Sequence, residues 1–278
     1  MKLIVKPHSG LANRIRVMVS ALMLAKKLNY ELEIIWEKDK GLNCSFEELF
    51  SSADEYIVAA NSFRVRLLDI LRGRKKILLF TQTVLGFRFI MFDHQMKEYV
   101  WSTGSDYINL QKIPEGRGDI YINSCHAFYF NNDALQYFQP TPSIMQRVKE
   151  NTREFSENTI GVHIRRTDNE ESIKKSSFDD FRRIMLKELE QNNNVNFYLA
   201  SDDLQVKEDM QKEFGSKVKI SDFNLMRSSE QGIKDALVEL FSLARTSKIY
   251  GSYWSSYSDI AARIGSIPLI IAQNELNT

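Results

Sequence analysis

Short apolar segments alternate with amphipathic segments along the chain, and this alternation restricts the possible folds more than any other feature. Near the N-terminus, Leu3 to Val5 and Leu32 to Trp36 both have the character of strands. Between them, apolar residues recur at helical spacing, at Leu11, Ile15, Met18, Leu22 and Ala25. A helix that links two strands in this way predicts a right-handed crossover and a parallel sheet, so the chain begins as an α/β unit.

The same alternation starts again in the second half of the chain. Strands are predicted there at residues 159–165, 195–200, 217–220, 248–251 and 268–272, and helices at residues 178–191, 203–214, 229–246 and 256–264. The first half has further predicted strands at residues 55–59, 76–80 and 119–124. Because Pro140-Thr141-Pro142 interrupts regular structure between the halves, we predict two domains, 1–142 and 143–278.

Composition narrows the class of protein. With 37 basic and 36 acidic residues the net charge is +1, which gives no overall field for nucleic acid and favours at most peripheral contact with a membrane. Cys44 and Cys125 are too few for a disulfide framework, and the N-terminus reads as a strand rather than a leader. We therefore expect a cytoplasmic globular protein.

The segment from Ile160 to Asp168 is the sharpest candidate for function. Period-two alternation places Ile160, Val162 and Ile164 on one face of a strand, and His163 and Arg165 together on the other, near its carboxyl end. Guanidinium groups present forked donors to phosphate oxygens and stay charged, so this segment predicts an anion site. The alternative is that Arg165 or Arg166 forms a structural ion pair with Asp168 or another carboxylate.

Two other predicted strands end in polar residues. Asp202 follows the strand 195–200, where it could serve the site or cap the next helix. The segment from Gly251 to Ser258 follows the strand 248–251 and is rich in hydroxyl groups. Its serines at a helix start could hold a phosphate, although ordinary capping explains them equally well.

The sequence predicts no metal site and no serine-hydrolase site. The four histidines have no paired-ligand spacing such as HExxH, and there is no Asp-x-Asp string of the kind that holds a metal diphosphate. There is also no G-x-S-x-G elbow.

The motifs and their order resemble a known family. The string from His163 to Asp168, followed by Ala200 to Asp203 and by Tyr253 to Ser256, resembles the ordered motifs of the α-1,6-fucosyltransferases, including the bacterial nodulation enzymes. The turn from Gly10 to Arg14 also looks like the one that opens the first domain of many members. The resemblance implies two Rossmann-like domains facing across a cleft (the GT-B type), an acceptor-side N-terminal domain and a donor-binding C-terminal domain. It further implies metal-independent, inverting transfer of fucose from GDP-fucose to a glycan hydroxyl, with no cofactor.

The resemblance also implies roles for single residues. Arg165 matches the arginine that contacts the donor β-phosphate, His163 a residue beside the nucleotide, and Ser255 and Ser256 the serines near the diphosphate. Glu239 matches an acidic residue that receives the guanine edge, although Asp235, Glu239, Ser242 and Thr246 could equally form a solvated helix face. The complete predicted donor set is His163, Arg166, Asp168, Asp202, Glu239, Tyr253, Ser255 and Ser256.

The chemistry of an inverting transfer suggests the catalytic residues. Charge builds on the departing phosphate, which Arg165 would stabilise, and the acceptor hydroxyl loses a proton, for which Glu170 and Glu171 are the candidate bases. Asp168 is a poorer base because it is expected to pair with arginine. Asn13 could position an acceptor or sugar hydroxyl, or act as an Asx-type cap of the first helix.

The segment after Asp168 departs from the α-1,6 pattern. That family continues with lysine and places its acidic base a few residues later, whereas this chain has Asn169 and then Glu170 and Glu171. Two alternatives therefore stay open. One is a nucleotide-sugar or glycan-binding protein of the same fold that does not catalyse transfer, and the other is a transferase that uses another nucleotide sugar.

Overall fold

The computed structural model describes residues 1–72, 82–96, 98, 113–167, 170–224 and 226–273. The chain divides into two compact units, Met1–Gln139 and Pro140–Thr278. Each unit contains a parallel five-stranded sheet. The predicted α/β class, with two Rossmann-like units, is confirmed.

The first unit is built on the strand order β3-β2-β1-β5-β4. Its strands are β1 (Lys2–Pro7), β2 (Glu31–Ile35), β3 (Tyr56–Ala59), β4 (Phe87–Phe92) and β5 (Asp119–Ser124). Its helices include α1 (Leu11–Leu28), α2 (Phe46–Leu49) and α3 (Phe63–Leu71). The sequence interpretation did not assign β4, whose apolar run is interrupted by Arg88. The predicted strand at 76–80 lies outside the described residues.

Arg14 is a buried structural cation in this unit. Its side chain is 1% exposed, and its guanidinium donates to the Ser9 carbonyl at 3.0 Å and to the Glu37 carbonyl at 2.6 Å. It also pairs with the Asp39 carboxylate at 2.6 Å. These contacts tie the turn between β1 and α1 to the loop after β2, which fixes where α1 begins.

The second unit has the strand order β10-β9-β6-β7-β8. Its strands are β6 (Thr159–Ile164), β7 (Asn196–Ser201), β8 (Val218–Ile220), β9 (Ile249–Gly251) and β10 (Leu269–Ile271). Its helices include α4 (Pro142–Asn151), α5 (Glu170–Lys175), α6 (Phe178–Gln191), α7 (Leu204–Phe214), α8 (Glu230–Leu243) and α9 (Ser256–Gly265). The strands and helices predicted for this half are confirmed to within a few residues, whereas α5 was not predicted.

In each sheet the strand order reverses at the first strand of the unit. β1 lies between β2 and β5, and β6 lies between β7 and β9. The connections that leave such a strand and its neighbour run to opposite faces of the sheet. This opens a crevice at the carboxyl ends of the two strands, where α/β proteins bind ligands. The topology therefore marks the ends of β1 and β5 in one unit, and of β6 and β9 in the other. Across the described ranges, no helix is both long and apolar enough to cross a membrane.

Candidate functional site

The arginine motif lies at the marked edge of the second sheet. All six residues of β6 are buried, and the strand ends at Ile164, one residue earlier than predicted. Arg165 therefore lies just beyond the sheet. Its backbone N–H donates to the Ser252 hydroxyl at 2.9 Å, while the Ser252 N–H donates to the His163 carbonyl at 3.1 Å. Ser252, to which the sequence interpretation gave no role, thus connects the ends of β6 and β9.

Asp202 organises the same loop from the end of β7. Its carboxylate accepts from the Arg166 backbone N–H at 2.8 Å and from the Thr167 hydroxyl at 2.6 Å. The prediction that Asp202 caps the next helix is wrong, because the carboxylate of Asp203 accepts from the Gln205 N–H and caps α7 instead. Burial alone would raise the pKa of Asp202. These hydrogen bonds and the charge of Arg165 lower the pKa by more than burial raises it, so the net shift is downward. Asp202 stays ionised and holds the motif in place.

The two arginines of the motif differ in their surroundings. Arg165 Nε lies 3.8 Å from an Asp202 oxygen, and its side chain is partly exposed at the sheet edge. Arg166 Nη1 donates to the Ile173 carbonyl at 3.4 Å, whereas Nη2 is buried and has no hydrogen-bond partner in the described part of the chain. Within the described residues, an Asp202 carboxylate oxygen thus lies near Arg165 Nε. Asp168, its other suggested partner, lies outside the described residues.

His163 is buried as a neutral imidazole. It is 4% exposed, its ring stacks on Tyr257 at a centroid distance of 4.9 Å, and its Nδ1 lies 3.4 Å from the Ser255 hydroxyl oxygen. Burial lowers the pKa of His163, and the nearby charge of Arg165 lowers it further. The site therefore has an uncharged ring beside its arginines.

The lowered pKa of His163 predicts a dependence of stability on pH. Below about pH 6.5 the unfolded chain binds a proton at this position and the folded chain does not, so acidification favours unfolding. We expect His163→Gln to reduce the slope of the unfolding free energy against pH, by up to about 1.4 kcal/mol per pH unit. Urea titrations at several pH values measure this, with exposed His94→Gln as the control. Equal slopes in wild type and His163→Gln would contradict the prediction.

Ser255 and Ser256 start α9 at the same edge. Ser255 occupies the N-cap position and is buried, yet within the described residues its side chain makes no capping bond. The capping alternative is therefore wrong for Ser255. The helix approaches β9 closely, since a Cβ on Gly251 would lie 2.6 Å from the Ser258 hydroxyl oxygen. The first-turn N–H groups of α9 thus lie where a helix N-terminus can bind an anion.

Tyr253 connects the loop after β9 to α5. Its carbonyl accepts from the Ser172 hydroxyl at 2.5 Å, its N–H donates to Ser176 Oγ at 2.8 Å, and Lys175 lies 4.2 Å from its ring centroid. α5 also carries Glu170 and Glu171, both exposed, with Glu171 3.5 Å from Lys175. The two candidate bases therefore belong to a helix that contacts the site loop.

Glu239 lies in the interior, and the prediction of a solvated helix face is wrong. Asp235, Glu239, Ser242 and Thr246 are all buried. The Glu239 carboxylate accepts from Lys207 at 3.1 Å, and the Tyr257 hydroxyl lies 3.5 Å away. Burial raises the pKa of Glu239, while Lys207 opposes this shift. Lys207 and Glu239 are 32 residues apart, so no local pattern could have revealed the pair.

Asn13 lies in the first unit, in the opening turn of α1. Its Nδ2 donates to the Ser9 hydroxyl at 3.0 Å, and it is partly exposed. The Asx-cap alternative is wrong, because Gly10 occupies the N-cap position and Asn13 lies inside the helix.

Comparisons with known proteins support the resemblance at the level of fold. No family model and no curated protein matches the sequence. Fucosyltransferase NodZ from Bradyrhizobium matches over 94% of this chain and 93% of its own, with a TM-score of 0.63 and 17% identity. An Arabidopsis thaliana FUT1 variant in complex with GDP matches over 97% of this chain and 69% of its own, with a TM-score of 0.67 and 15% identity. POFUT1 in complex with GDP-fucose matches over 98% of this chain and 97% of its own, with a TM-score of 0.57 and 11% identity. At such identities the likeness establishes a shared fold.

Proposed function

We propose that this chain is an inverting glycosyltransferase that moves fucose from GDP-fucose to a glycan hydroxyl, without a metal at the diphosphate. One observation carries the proposal. The arginine motif, the Asp202 carboxylate and the serine-rich start of α9 meet at the switch point of the second sheet. They do so in a fold shared, over most of the chain, with fucosyltransferases solved with GDP or GDP-fucose.

The donor is proposed to bind through its diphosphate. The Arg165 guanidinium and the first-turn N–H groups of α9 supply the positive potential, with Ser255 and Ser256 as hydroxyl donors. His163, neutral and buried, lies beside them as an uncharged contact for the nucleotide. Arginine and helix N–H groups neutralise the diphosphate, so this binding mode requires no metal ion. The second unit is then the donor domain, and the first unit is the acceptor domain, with Asn13 as a positioning residue for the acceptor.

The proposed reaction is a single displacement at the anomeric carbon. The acceptor oxygen forms a bond to C1 of fucose as the bond from C1 to the phosphate oxygen breaks, and GDP leaves with the electron pair. The hydroxyl proton passes to a carboxylate, for which we propose Glu170 or Glu171 on α5. Arg165 stabilises the charge that develops on the departing diphosphate. We propose a surface polysaccharide or lipid-linked glycan as the acceptor class.

Nucleotide binding tests the donor assignment directly. Thermal unfolding and calorimetry with GDP, GDP-fucose, UDP and ADP, each with EDTA present, should show stabilisation by the two guanine ligands only. At a ligand concentration about 100-fold above Kd the expected gain is roughly 2.7 kcal/mol. Equal stabilisation by all four nucleotides, or loss of GDP binding in EDTA, would overturn the metal-free GDP-sugar proposal.

Turnover separates the enzyme from its alternatives. An active transferase releases GDP from GDP-fucose faster when an acceptor is present, whereas a binding protein takes up GDP without releasing fucose. Replacing GDP-fucose by other GDP-sugars identifies the transferred sugar. Comparison of Glu170→Gln with Glu171→Gln then assigns the base, because only the variant that lacks it loses the acidic limb of the pH–rate profile, where protonation of the base stops the reaction.

A further inference from the structure

A second group of reactive side chains lies at the switch point of the first sheet. His8 follows β1, Asp93 follows β4, and Cys125 and His126 follow β5. These three strands are neighbours in the order β1-β5-β4, so their carboxyl ends converge. We infer that His8, Asp93 and Cys125 form a binding site for a borderline divalent cation, and that Zn²⁺ is the cation that fits best.

The distances suit a tetrahedral ion. One potential ligand atom from each of the three side chains lies within 4.8 Å of the other two, and His8 Nε2 is 3.6 Å from Asp93 Oδ1. Zinc bonds of about 2.0–2.3 Å in a tetrahedron place neighbouring ligand atoms roughly 3.3–3.8 Å apart. Small side-chain rotations therefore bring the three atoms to a common ion.

The donor set selects the class of metal. One thiolate, one imidazole and one carboxylate are ligands typical of zinc, whereas magnesium and calcium take oxygen ligands. Three protein ligands leave a fourth position for water, as in open zinc sites. The sulfur of Cys125 and the nitrogen of His8 therefore favour Zn²⁺. Co²⁺ can replace Zn²⁺ in such a site and gives an absorption spectrum that reports the ligands.

The surroundings hold the carboxylate in place. Asp93 Oδ1 accepts from the Cys125 N–H at 2.8 Å, from the Ser124 hydroxyl at 3.1 Å and from His126 Nδ1 at 3.0 Å. His126 must be the donor in this contact, since an ionised carboxylate only accepts. Carboxylates that bind metals are commonly oriented by such outer hydrogen bonds.

His8 supplies a nitrogen that the rest of the described chain leaves unused. Its Nε2 is buried and has no hydrogen-bond partner among the described residues. Its backbone N–H donates to the Ser124 carbonyl at 3.3 Å, which fixes it beside β5. A buried imidazole nitrogen that makes no hydrogen bond costs free energy unless a metal or another partner satisfies it. Coordination would satisfy that nitrogen.

This site and the proposed donor site share no residues. All its ligands belong to the first unit, whereas the diphosphate contacts belong to the second. The cation site is therefore compatible with metal-free donor binding, and neither proposal depends on the other. Their tests also separate, because Arg165→Ala should change GDP binding and leave the cation site unaltered.

Cobalt binding tests the inference. The full chain, free of any affinity tag, is stripped with EDTA and titrated with Co²⁺. We expect one equivalent to give tetrahedral ligand-field bands and a thiolate-to-cobalt charge-transfer band, both removed by Zn²⁺. Cys125→Ser should lose the charge-transfer band, and His8→Gln and Asp93→Asn should weaken binding. His126→Gln should weaken cobalt binding by roughly 10–100-fold, as expected for a residue that orients a metal ligand through a hydrogen bond.

Two residues in the same unit serve as matched controls. Cys44→Ser removes the other cysteine and His94→Gln removes an exposed histidine next to Asp93, and both should keep the cobalt spectrum. A charge-transfer band that survives Cys125→Ser, or no tetrahedral cobalt bound by wild type, overturns the inference. If Cys125→Ser does not fold, alkylation of the cysteines of the wild-type protein, with and without Zn²⁺, tests the site instead. Zn²⁺ must then protect Cys125, located by peptide mapping, and a lack of protection overturns the site.

Discussion

Replacing Arg165 with alanine should lower kcat of the proposed transfer by roughly 10²–10³-fold, the cost of removing one preorganised donor to a developing anion. Arg165 lies just past the end of β6, with its backbone held by Ser252 and its guanidinium beside Asp202. The hydrogen bond to Ser252 therefore fixes the backbone from which the guanidinium extends before the donor binds. Because the leaving diphosphate gains charge in the transition state, the loss should appear more strongly in kcat than in GDP affinity.

Two other arginine variants calibrate this result. Arg165→Lys keeps the charge and loses the planar fork, so its rate should lie between those of wild type and Arg165→Ala. Arg153→Ala removes an arginine whose side chain is 81% exposed, next to Glu154, and should leave transfer unchanged. Circular dichroism checks that each variant is folded. Wild-type turnover by a folded Arg165→Ala would exclude the proposed role.

Removing the carboxylate of Glu239 should lower the free energy of unfolding by about 3–5 kcal/mol, since it leaves the charge of Lys207 buried without a partner. The two side chains are 3% and 9% exposed, and their charged atoms are 3.1 Å apart. We expect this loss in urea titrations of Glu239→Gln. Glu230→Gln, in the same helix, removes the carboxylate of an exposed ion pair with Lys234 and should cost less than about 1 kcal/mol.

A double variant separates burial of charge from donor recognition. Lys207→Met with Glu239→Gln removes both charges, so it should recover most of the stability lost in Glu239→Gln alone. GDP affinity of this stable double variant then tests the predicted contact of Glu239 with guanine. Unchanged affinity would reject that contact. If Glu239→Gln is as stable as Glu230→Gln, the buried-charge argument itself is wrong.

Much of the second unit could be predicted because its signals are local. Strand and helix periods depend on consecutive residues, so the sequence pattern alone located β6 to β10 and the main helices between them. The end of an apolar run also marks the end of a strand. This placed His163 and Arg165 at the carboxyl edge of a parallel sheet, and the order of the motifs then indicated a fucosyltransferase fold.

Neighbouring residues of the same type could not be distinguished in this way. Asp202 and Asp203 are adjacent and both suit a helix cap, yet the path of the chain after β7 assigns the cap to Asp203 and directs Asp202 to the backbone of Arg166. Asp235, Glu239 and Ser242 of α8, with Thr246 just beyond it, have helical spacing and resembled a solvated face. Their burial depends on partners from distant segments, among them Lys207 for Glu239 and Arg147 for Asp235.

The sequence by itself therefore determined the α/β alternation, the position of the arginine motif at a strand end and the family resemblance, because these are properties of short stretches of chain. Only the tertiary structure decided which strand ends are neighbours. The order β1-β5-β4 brings together His8, Asp93 and Cys125, which no short motif contains. Distances between such residues are set by strand pairing and packing rather than by their separation along the chain.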